Sequence, residues 1–143
     1  MTSGGVSVCS IHPELVEEIK NFRFSKDVKK RALVMKVDKE SLTVVLDELL
    51  EDDLTVDELR ESLPESQPRF LLYSYVMSHD DGRTSYPLCF IFSTPSGCKM
   101  EMKMMYAGTK NHLVSVAQAK SHAYEVRDLE DLTEEWLQDK LKR

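Results

Sequence analysis

The chain has 143 residues, a net charge of −6 and a hydrophobic fraction of 41%, values that fit one globular domain able to bury a core without metal or disulfides. No apolar run approaches the roughly 20 residues of a membrane span, and the N-terminus lacks the cationic start and apolar core of a signal peptide. The acidic balance disfavours nucleic acid as a general partner. Three cysteines cannot all pair, which indicates reduced thiols in the cytosol.

The first third of the chain predicts a helix followed by a hairpin. Pro13 occupies a favoured first helical position, and apolar residues recur at helical spacing after it, which predicts an amphipathic helix over 13–23. Residues 32–37 and 42–46 are apolar and rich in β-branched side chains. They predict two strands joined by a short turn.

The middle of the chain predicts a short helix and a second hairpin. Thr55 and Glu58 have the spacing of a capping box at a helix start. A nearly continuous apolar run predicts a strand over 69–77, covered on both faces. A polar turn with an Asp-Gly pair follows it, and the next strand, 84–93, contains Pro87, which predicts a bulge or an edge position.

The last third predicts a long helix over about 98–118, a short strand at 123–126 and a final helix capped by Asp131 or Thr133. Helices precede and follow the strands. The expected fold is therefore α/β (α+β), one domain over 1–143, with a central mixed sheet flanked by helices on both faces. Residues 1–8 are expected to form a flexible N-terminal segment.

The long helix is apolar on two opposite sides. A stripe that predicts packing on the sheet comprises Met102, Met105, Tyr106, Thr109, Leu113, Val116 and Ala117. Opposite it lie Met100, Met104, Ala107 and Asn111. Two exposed methionines one turn apart favour a protein-binding patch over harmless surface scatter. Gly108 within the helix predicts a kink or the close approach of a partner.

Charge is distributed unevenly along the chain. Residues 20–31 contain six cations, namely Lys20, Arg23, Lys26, Lys29, Lys30 and Arg31. This segment could steer the protein toward an acidic partner. The acidic runs 47–65 and 125–135 can each be explained as a solvated face, and this is the interpretation that we adopt for 47–65.

The sequence contains few features that indicate enzyme activity. The four histidines lack metal-ligand spacing, and no phosphate loop, nucleophile elbow or dinucleotide motif occurs. His79 beside Asp80 and Asp81 is better explained as a solvated turn than as an acid–base or metal site. Cys89 reads as a core residue, whereas Cys98 at the start of the long helix could carry a stabilised thiolate with a redox role.

Several segments carry a family resemblance: PRF, YSY, HDDGR, SYPLCFIFS, GCK, MMYAG, KN and DLTEEWL. The chain resembles glia maturation factor, a branch of the actin-depolymerising factor homology (cofilin-like) proteins, from about Cys9 to Leu141. The resemblance implies a central mixed sheet flanked by helices, as the residue pattern also predicts.

The resemblance further implies a cytosolic regulator of the actin cytoskeleton that is not an enzyme and needs no cofactor or metal. It would act as a monomer on the actin-related protein 2/3 complex, through the actin-related protein 2 subunit and the neighbouring WD-repeat subunit. It would promote filament debranching and inhibit branch nucleation, in branched networks at the leading edge. Contact with actin at branch junctions and a nuclear pool are left open.

Two surfaces follow from the resemblance. The first would bind the nucleator complex and comprises Val6, Val8, Arg23, Lys26, Lys99, Met100, Lys103, Met104 and Lys110. The second would act in debranching and comprises Asp80, Asp81, Arg83, Asp131, Glu134 and Glu135. Thr2 and Ser3 near the first surface are candidate phosphorylation sites.

Two alternatives remain beside this function. In cofilin the long helix opens with two basic residues near a contact methionine, whereas here Glu101 stands at the first of them and Lys103 at the second. That departure weakens, without removing, the alternative of a cofilin-like module that binds and severs actin filaments. A signalling inhibitor that docks on a kinase would rest on the exposed charge runs alone.

Overall fold

The computed structural model describes residues 9–25 and 29–142, and these form a sheet with helices on both faces. The strands are β1 (Ser10–Ile11), β2 (Arg31–Asp38), β3 (Thr43–Leu50), β4 (Arg69–Ser74), β5 (Met77–Ser78), β6 (Thr84–Ser85), β7 (Leu88–Ser93) and β8 (Ala123–Val126). The helices are α1 (Pro13–Phe24), α2 (Val56–Glu61), α3 (Met100–Ala117) and α4 (Glu134–Leu141). Short 3-10 turns occupy Lys120–His122 and Leu129–Asp131.

Six strands form the main sheet in the order β1-β3-β2-β4-β7-β8. The inner pairs are antiparallel, whereas β1 runs parallel to β3 and β8 runs parallel to β7. The sheet is therefore mixed, and the predicted fold class is confirmed. Parallel pairing at both edges requires connections that cross over the sheet, and α1 and α3 lie in those regions of the chain.

Side chains alternate between two buried clusters, one on each face of the sheet. The first cluster joins α1 and α3 to the strands through residues such as Leu15, Tyr106 and Phe70. The second joins α2 and α4 through residues such as Leu59 and Leu137. Because both faces of the central strands are covered, β4 and β7 are apolar at most positions. The sequence predicted this cover for the strand over 69–77.

The two predicted hairpin strands in the middle of the chain are each split in the structure. The strand predicted over 69–77 leaves the main sheet at Ser74, and β5 pairs instead with β6 in a separate two-stranded ribbon. The strand predicted over 84–93 is interrupted between Ser85 and Leu88, at Pro87. Proline has no N–H to donate to a ladder, which explains the break at the position where a bulge was predicted.

The predicted starts of α1, α2 and α4 agree with the structure, whereas α3 begins two residues later than predicted. Thr55 Oγ1 accepts from the Glu58 N–H at 3.1 Å, and the Glu58 carboxylate accepts from the Thr55 N–H at 2.9 Å, which completes the capping box. Thr133, rather than Asp131, caps α4. The long helix begins at Met100 and continues through Gly108 without interruption.

Candidate protein-binding surface

Two polar groups hold α3 in a defined position on the sheet. The Val37 N–H donates to the hydroxyl of Tyr106 at 2.9 Å, and Tyr106 is 1% exposed. The hydroxyl of Thr109 accepts from the Cys9 N–H at 3.0 Å and donates to the Met105 carbonyl. These buried contacts fix which side of α3 faces the sheet and place the start of the described chain beside the middle of the helix.

The opposite side of α3 presents the methionine face, defined as Met100, Met104, Ala107 and Asn111. Met100 is 67% exposed and Met104 is 48% exposed, whereas Tyr106 and Leu113 on the sheet side are buried. The predicted stripe is confirmed, because its members are buried or packed against the first cluster. Exposed thioethers are flexible and polarisable, so this surface can adapt to an apolar partner.

A row of cations, the lysine edge, borders the methionine face on one side. It consists of Lys99, Lys103 and Lys110. Lys103 and Lys110 are seven residues apart, about two helical turns, so they lie on the same edge of α3. None of the three forms a salt bridge with another residue in the described ranges. These ammonium groups are therefore available to acidic groups of a partner.

Arg23 lies at the far end of α3 from Lys99. Its guanidinium donates to Gln118 Oε1 at 2.8 Å, and Gln118 ends α3 in the left-handed conformation. The helix α3 has 18 residues, so its two ends are roughly 27 Å apart at 1.5 Å per residue. The structure thus does not bring Arg23 beside the first turns of the helix. Val6, Val8 and Lys26 lie outside the described residues.

One of the six cations in the basic segment has a structural role. Arg31 is 4% exposed, and its guanidinium stacks 4.4 Å from the Phe22 ring and donates to the Phe22 carbonyl. Its nearest carboxylate, Glu51, is 3.9 Å away. A buried guanidinium does not steer a partner in solution, so the predicted steering role is wrong for Arg31. The pattern of cations could not distinguish it from its exposed neighbours.

The turn of the second surface is stabilised from within. The Arg83 guanidinium donates to Asp81 Oδ2 at 2.6 Å and the Arg83 N–H donates to Asp81 Oδ1 at 3.1 Å. These bonds lower the pKa of the Asp81 carboxyl, with the backbone bond as the largest cause. Gly82 has a φ of 89°, a conformation that a side chain disfavours. Asp80 is exposed beside them.

The second surface also includes residues of α4 and the preceding turn. Asp131, Glu134 and Glu135 are exposed, but Glu134 has an internal role as well. Its Oε2 accepts a 2.7 Å hydrogen bond from the hydroxyl of Tyr75, which in turn accepts from Gln138 Nε2 at 3.0 Å. Tyr75 lies between β4 and the ribbon, so α4 is tied to the base of that ribbon.

Candidate residues for chemistry or metal binding are dispersed. Within residues 9–25 and 29–142, no group of three or more metal-ligating side chains is close enough to hold an ion. His79 Nε2 lies 2.8 Å from Ser85 Oγ across the ribbon, which gives the histidine a structural partner. No helix of the described chain is long and apolar enough to cross a membrane.

The cysteines are all free and buried. Burial raises the pKa of the Cys89 thiol to about 12, as expected for a core residue. Cys98 precedes α3 instead of beginning it, and burial raises the pKa of its thiol despite Lys103 and Arg69 nearby. The prediction of a stabilised Cys98 thiolate at the helix start is therefore wrong.

Two exposed aromatic residues were not among the predicted site residues. Phe24 is 66% exposed at the end of α1, with the Arg23 guanidinium 4.8 Å from its ring centre, and Tyr86 is 53% exposed beside Pro87. Phe24 follows Leu15 by nine residues, which is about 180° around the helix, so it lies on the side of α1 opposite the buried Leu15 and Ile19. Helical spacing could therefore have identified it as an exposed aromatic residue.

Sequence comparisons identify several relatives of this chain. Residues 8–142 match the family described as cofilin/tropomyosin-type actin-binding protein. The chain is 55% identical to glia maturation factor beta of Homo sapiens over 97% of its own length and 96% of the relative's. It is 53% identical to glia maturation factor of Drosophila melanogaster over 94% and 96% of the two chains.

A solved structure agrees with the sequence matches. The solution structure of glia maturation factor from Caenorhabditis elegans superposes with a TM-score of 0.80, at 39% identity, over 97% of this chain and 99% of that one. The fold, the sequence match and the relatives all indicate the same protein family. The chain belongs to the cofilin/tropomyosin-type actin-binding protein family, within its glia maturation factor branch.

Proposed function

We propose that this protein regulates branched actin networks by binding the actin-related protein 2/3 complex, promoting debranching and inhibiting branch nucleation. Its family is one of actin-binding proteins, which gives the coarser role of an actin-cytoskeleton regulator. The observation that carries the finer proposal is the exposed pair Met100 and Met104 on a rigidly held helix. Large apolar side chains exposed on a stable element are common anchors of protein interfaces.

The methionine face and the lysine edge would form one contact with the actin-related protein 2 subunit. Met100 and Met104 would enter an apolar pocket, and Lys99 and Lys103 would pair with carboxylates around it. Tyr106 and Thr109 keep this side of α3 turned outward. A preordered surface loses little entropy when it binds, which favours affinity.

Debranching requires more than one contact. A protein that binds the branched and the released arrangements equally well shifts no equilibrium between them. The second surface, on the ribbon turn and α4, would supply a contact that favours the released arrangement, with the WD-repeat subunit or with actin at the junction as its partner. No bond is made or broken in this mechanism, so the protein acts without catalysis, a nucleotide or a metal. It would act in the cytoplasm, where branched networks form.

The alternative within the same family is a module that binds and severs plain filaments, as cofilin does. The lysine edge beside two exposed methionines supports it, since that chemistry suits an actin surface too. Exposed Glu101 argues against the severing alternative, because it places a carboxylate in the first turn of α3 where cofilin has a basic residue.

Two binding assays with purified components separate these functions. The protein is first cosedimented with unbranched actin filaments and then captured with the nucleator complex in the absence of filaments. Capture of the complex with little pelleting on filaments is the expected result. Strong pelleting and filament fragmentation, without capture, would support the severing alternative.

A further inference from the structure

One edge of the main sheet is open along most of its length. β2 pairs with β3 from Thr43 to Leu50, but on its other side β3 pairs with β1 at Thr43 and Val44 alone. The chain then turns into α1 at Pro13. From Val45 to Leu50, the outer edge of β3 has no neighbouring strand in the described part of the chain.

The backbone of this edge continues an existing ladder. The His12 N–H donates to the Val44 carbonyl at 3.0 Å, so Val44 points its polar groups toward the open side. Outward-pointing groups alternate along a strand, which makes Leu46 the next residue with a free N–H and C=O. An added segment in line with β1 would meet these groups first.

Apolar side chains beside the edge are also exposed. Leu46 is 38% exposed and Leu49 is 37% exposed. They pair across the ladder with Met35 and Leu33, which belong to the α1 and α3 core, so both leucines project on the α1 side of the sheet. The groove between α1 and β3 has a volume of about 270 Å³ and is lined by His12, Glu14, Leu15, Glu18, Val45 and Leu46.

The charge around this edge is acidic. Glu14 and Glu18 stand one turn apart on the wall formed by α1, on the same side of the sheet as Leu46 and Leu49. Glu48 pairs with Val34, which belongs to the α2 and α4 core, so it projects from β3 on the opposite side. None of the three is in a salt bridge with a described residue. Asp47 differs, because its carboxylate is held by Arg69 at 3.0 Å and Lys36 at 3.6 Å.

The same charges disfavour a second copy of this chain as the occupant. Two such edges would bring Glu48 and the α1 carboxylates of one copy against those of the other. A β-bulge at Asp47, where the register with β2 shifts, bends this edge. A flexible segment can follow the bend, whereas the edge of a second folded copy is less able to do so. A basic partner meets no such repulsion, since its cations would complement the carboxylates.

We propose that the open edge of β3 is a second docking site, distinct from the methionine face, that binds an extended basic segment of another protein by strand addition. The segment would pair with the backbone from Leu46 to Leu50 and place alternate apolar side chains beside Leu46 and Leu49 on the α1 side of the sheet. Its intervening Lys or Arg side chains would project on the other side, toward Glu48. Glu14 and Glu18 would add to the negative potential along the edge. In strand addition the main-chain bonds supply affinity and the alternate side chains supply specificity.

The test uses the full-length protein and a seven-residue fluorescent peptide of alternating Lys and Val, with capped termini. A second peptide carries the same charges but has alternate backbone nitrogens methylated, so that it lacks the N–H donors of one strand edge. Fluorescence anisotropy gives each affinity, and amide chemical shifts locate the bound peptide. We expect the parent peptide to bind about tenfold or more tightly than the methylated one, because several hydrogen bonds are lost.

Two variants test the location. Glu48→Gln should weaken binding of the parent peptide several-fold, whereas Glu17→Gln, on the exposed side of α1, should leave it unchanged. Leu49→Lys should abolish binding, with thermal unfolding as the check that the fold persists. Shift changes should centre on Leu46–Leu50 and on Glu14 and Glu18.

Three results would overturn the proposal. Equal binding of both peptides would mean that charge alone attracts them. Shift changes confined to the second surface would place the site elsewhere. Dimerisation of the free protein in sedimentation velocity, abolished by Leu49→Lys, would assign the edge to a second copy of the chain. None of these assays contains actin or the nucleator complex, so they are independent of the function proposed above.

Discussion

The hydroxyl of Tyr75 donates a 2.7 Å hydrogen bond to Glu134 Oε2 and so connects α4 to the base of the β5–β6 ribbon. Tyr75 is 1% exposed, and burial, with the Glu134 bond as the next cause, raises the pKa of its phenol to about 12. The phenol thus stays a donor across the physiological range. Because of this bond, the turn and the last helix keep a fixed relation, as a shared contact surface requires.

The bond decides which α4 carboxylate can test the second surface. Reversal of the Glu134 charge would remove a hydrogen-bond partner of a buried phenol and disturb the fold. Glu135 is exposed in the same turn of α4 and is the better position. Asp81 is unsuitable for the same reason, because it accepts two hydrogen bonds from Arg83, whereas Asp80 is exposed beside it. We therefore expect Asp80→Lys combined with Glu135→Lys to leave nucleator binding nearly intact and to reduce the debranching rate.

This prediction is checked by measuring binding isotherms and single-branch lifetimes on the same protein preparations. Glu17→Lys combined with Glu61→Lys, at exposed positions outside both surfaces, makes the same change in net charge and is the control. Unchanged lifetimes at saturating double variant would mean that the second surface is inert and that the methionine face acts alone.

Met104→Ala tests the methionine face. The side chain is 48% exposed and lies opposite the buried stripe of α3, so its loss should change the free energy of unfolding by no more than about 0.5 kcal/mol. As an interface anchor it should cost roughly 2 kcal/mol of binding free energy to the nucleator complex. Leu49→Ala, a comparably exposed apolar residue on β3, should leave that affinity unchanged.

Equal losses of affinity in the Met104 and Leu49 variants would indicate a nonspecific apolar effect. A large fall in the thermal midpoint of Met104→Ala would place this side chain in the core.

Reversal of charge at Lys99 and Lys103 tests the lysine edge. If these cations attract an acidic partner, the variant with Glu at both positions should associate more slowly, and its rate should depend less on ionic strength. Stopped-flow association over a series of salt concentrations measures both effects. Identical rates for parent and variant at every salt concentration would remove the lysine edge from the binding mechanism.

Tyr106→Phe tests how α3 is held. The substitution leaves the buried Val37 N–H without its acceptor, which should lower the free energy of unfolding by roughly 1–3 kcal/mol. Urea denaturation measures the loss. Tyr86→Phe, at a 53% exposed position, is the matched control and should be nearly neutral. An equally small effect at both positions would mean that the Tyr106 bond contributes little to the position of the helix.

The Cys98 thiol should react slowly with alkylating reagents in the folded protein. Its pKa is raised by burial above the ordinary value, so at pH 8 the reactive thiolate is scarcer than in an exposed cysteine. Timed alkylation followed by mass spectrometry should show labelling at denatured rates only after unfolding. Rapid labelling of Cys98 in the native state would restore the redox interpretation of the sequence.

Much of the fold could be predicted from local patterns. The apolar period of α1 and α3, the capping box at Thr55 and the turn at Gly82 each reflect a rule that acts within a few residues, and the structure agrees with all of them. Pro87 likewise indicated the strand break. The separate β5–β6 ribbon was missed because pairing partners depend on the whole chain, whereas the apolar run from β4 into Met77 is continuous.

Much less of the candidate site could be predicted. The methionine face follows from helical geometry, and its exposure agrees with that prediction. The burial of Arg31, the separation of Arg23 from Lys99 and the bond between Tyr75 and Glu134 all depend on contacts between distant segments. The spacing of residues along the sequence contains no information on such contacts. A buried cation such as Arg31 therefore cannot be distinguished from an exposed one by its place in a basic run.

The most direct test of the central claim is the lifetime of single actin branches, observed by fluorescence microscopy with purified actin, nucleator complex and this protein. If the protein debranches actin networks, branches should detach faster as its concentration rises. Met104→Ala should require a higher concentration for the same effect, and unbranched filaments should keep their length. Unchanged branch lifetimes at saturating protein, together with fragmentation of unbranched filaments, would contradict the proposed function.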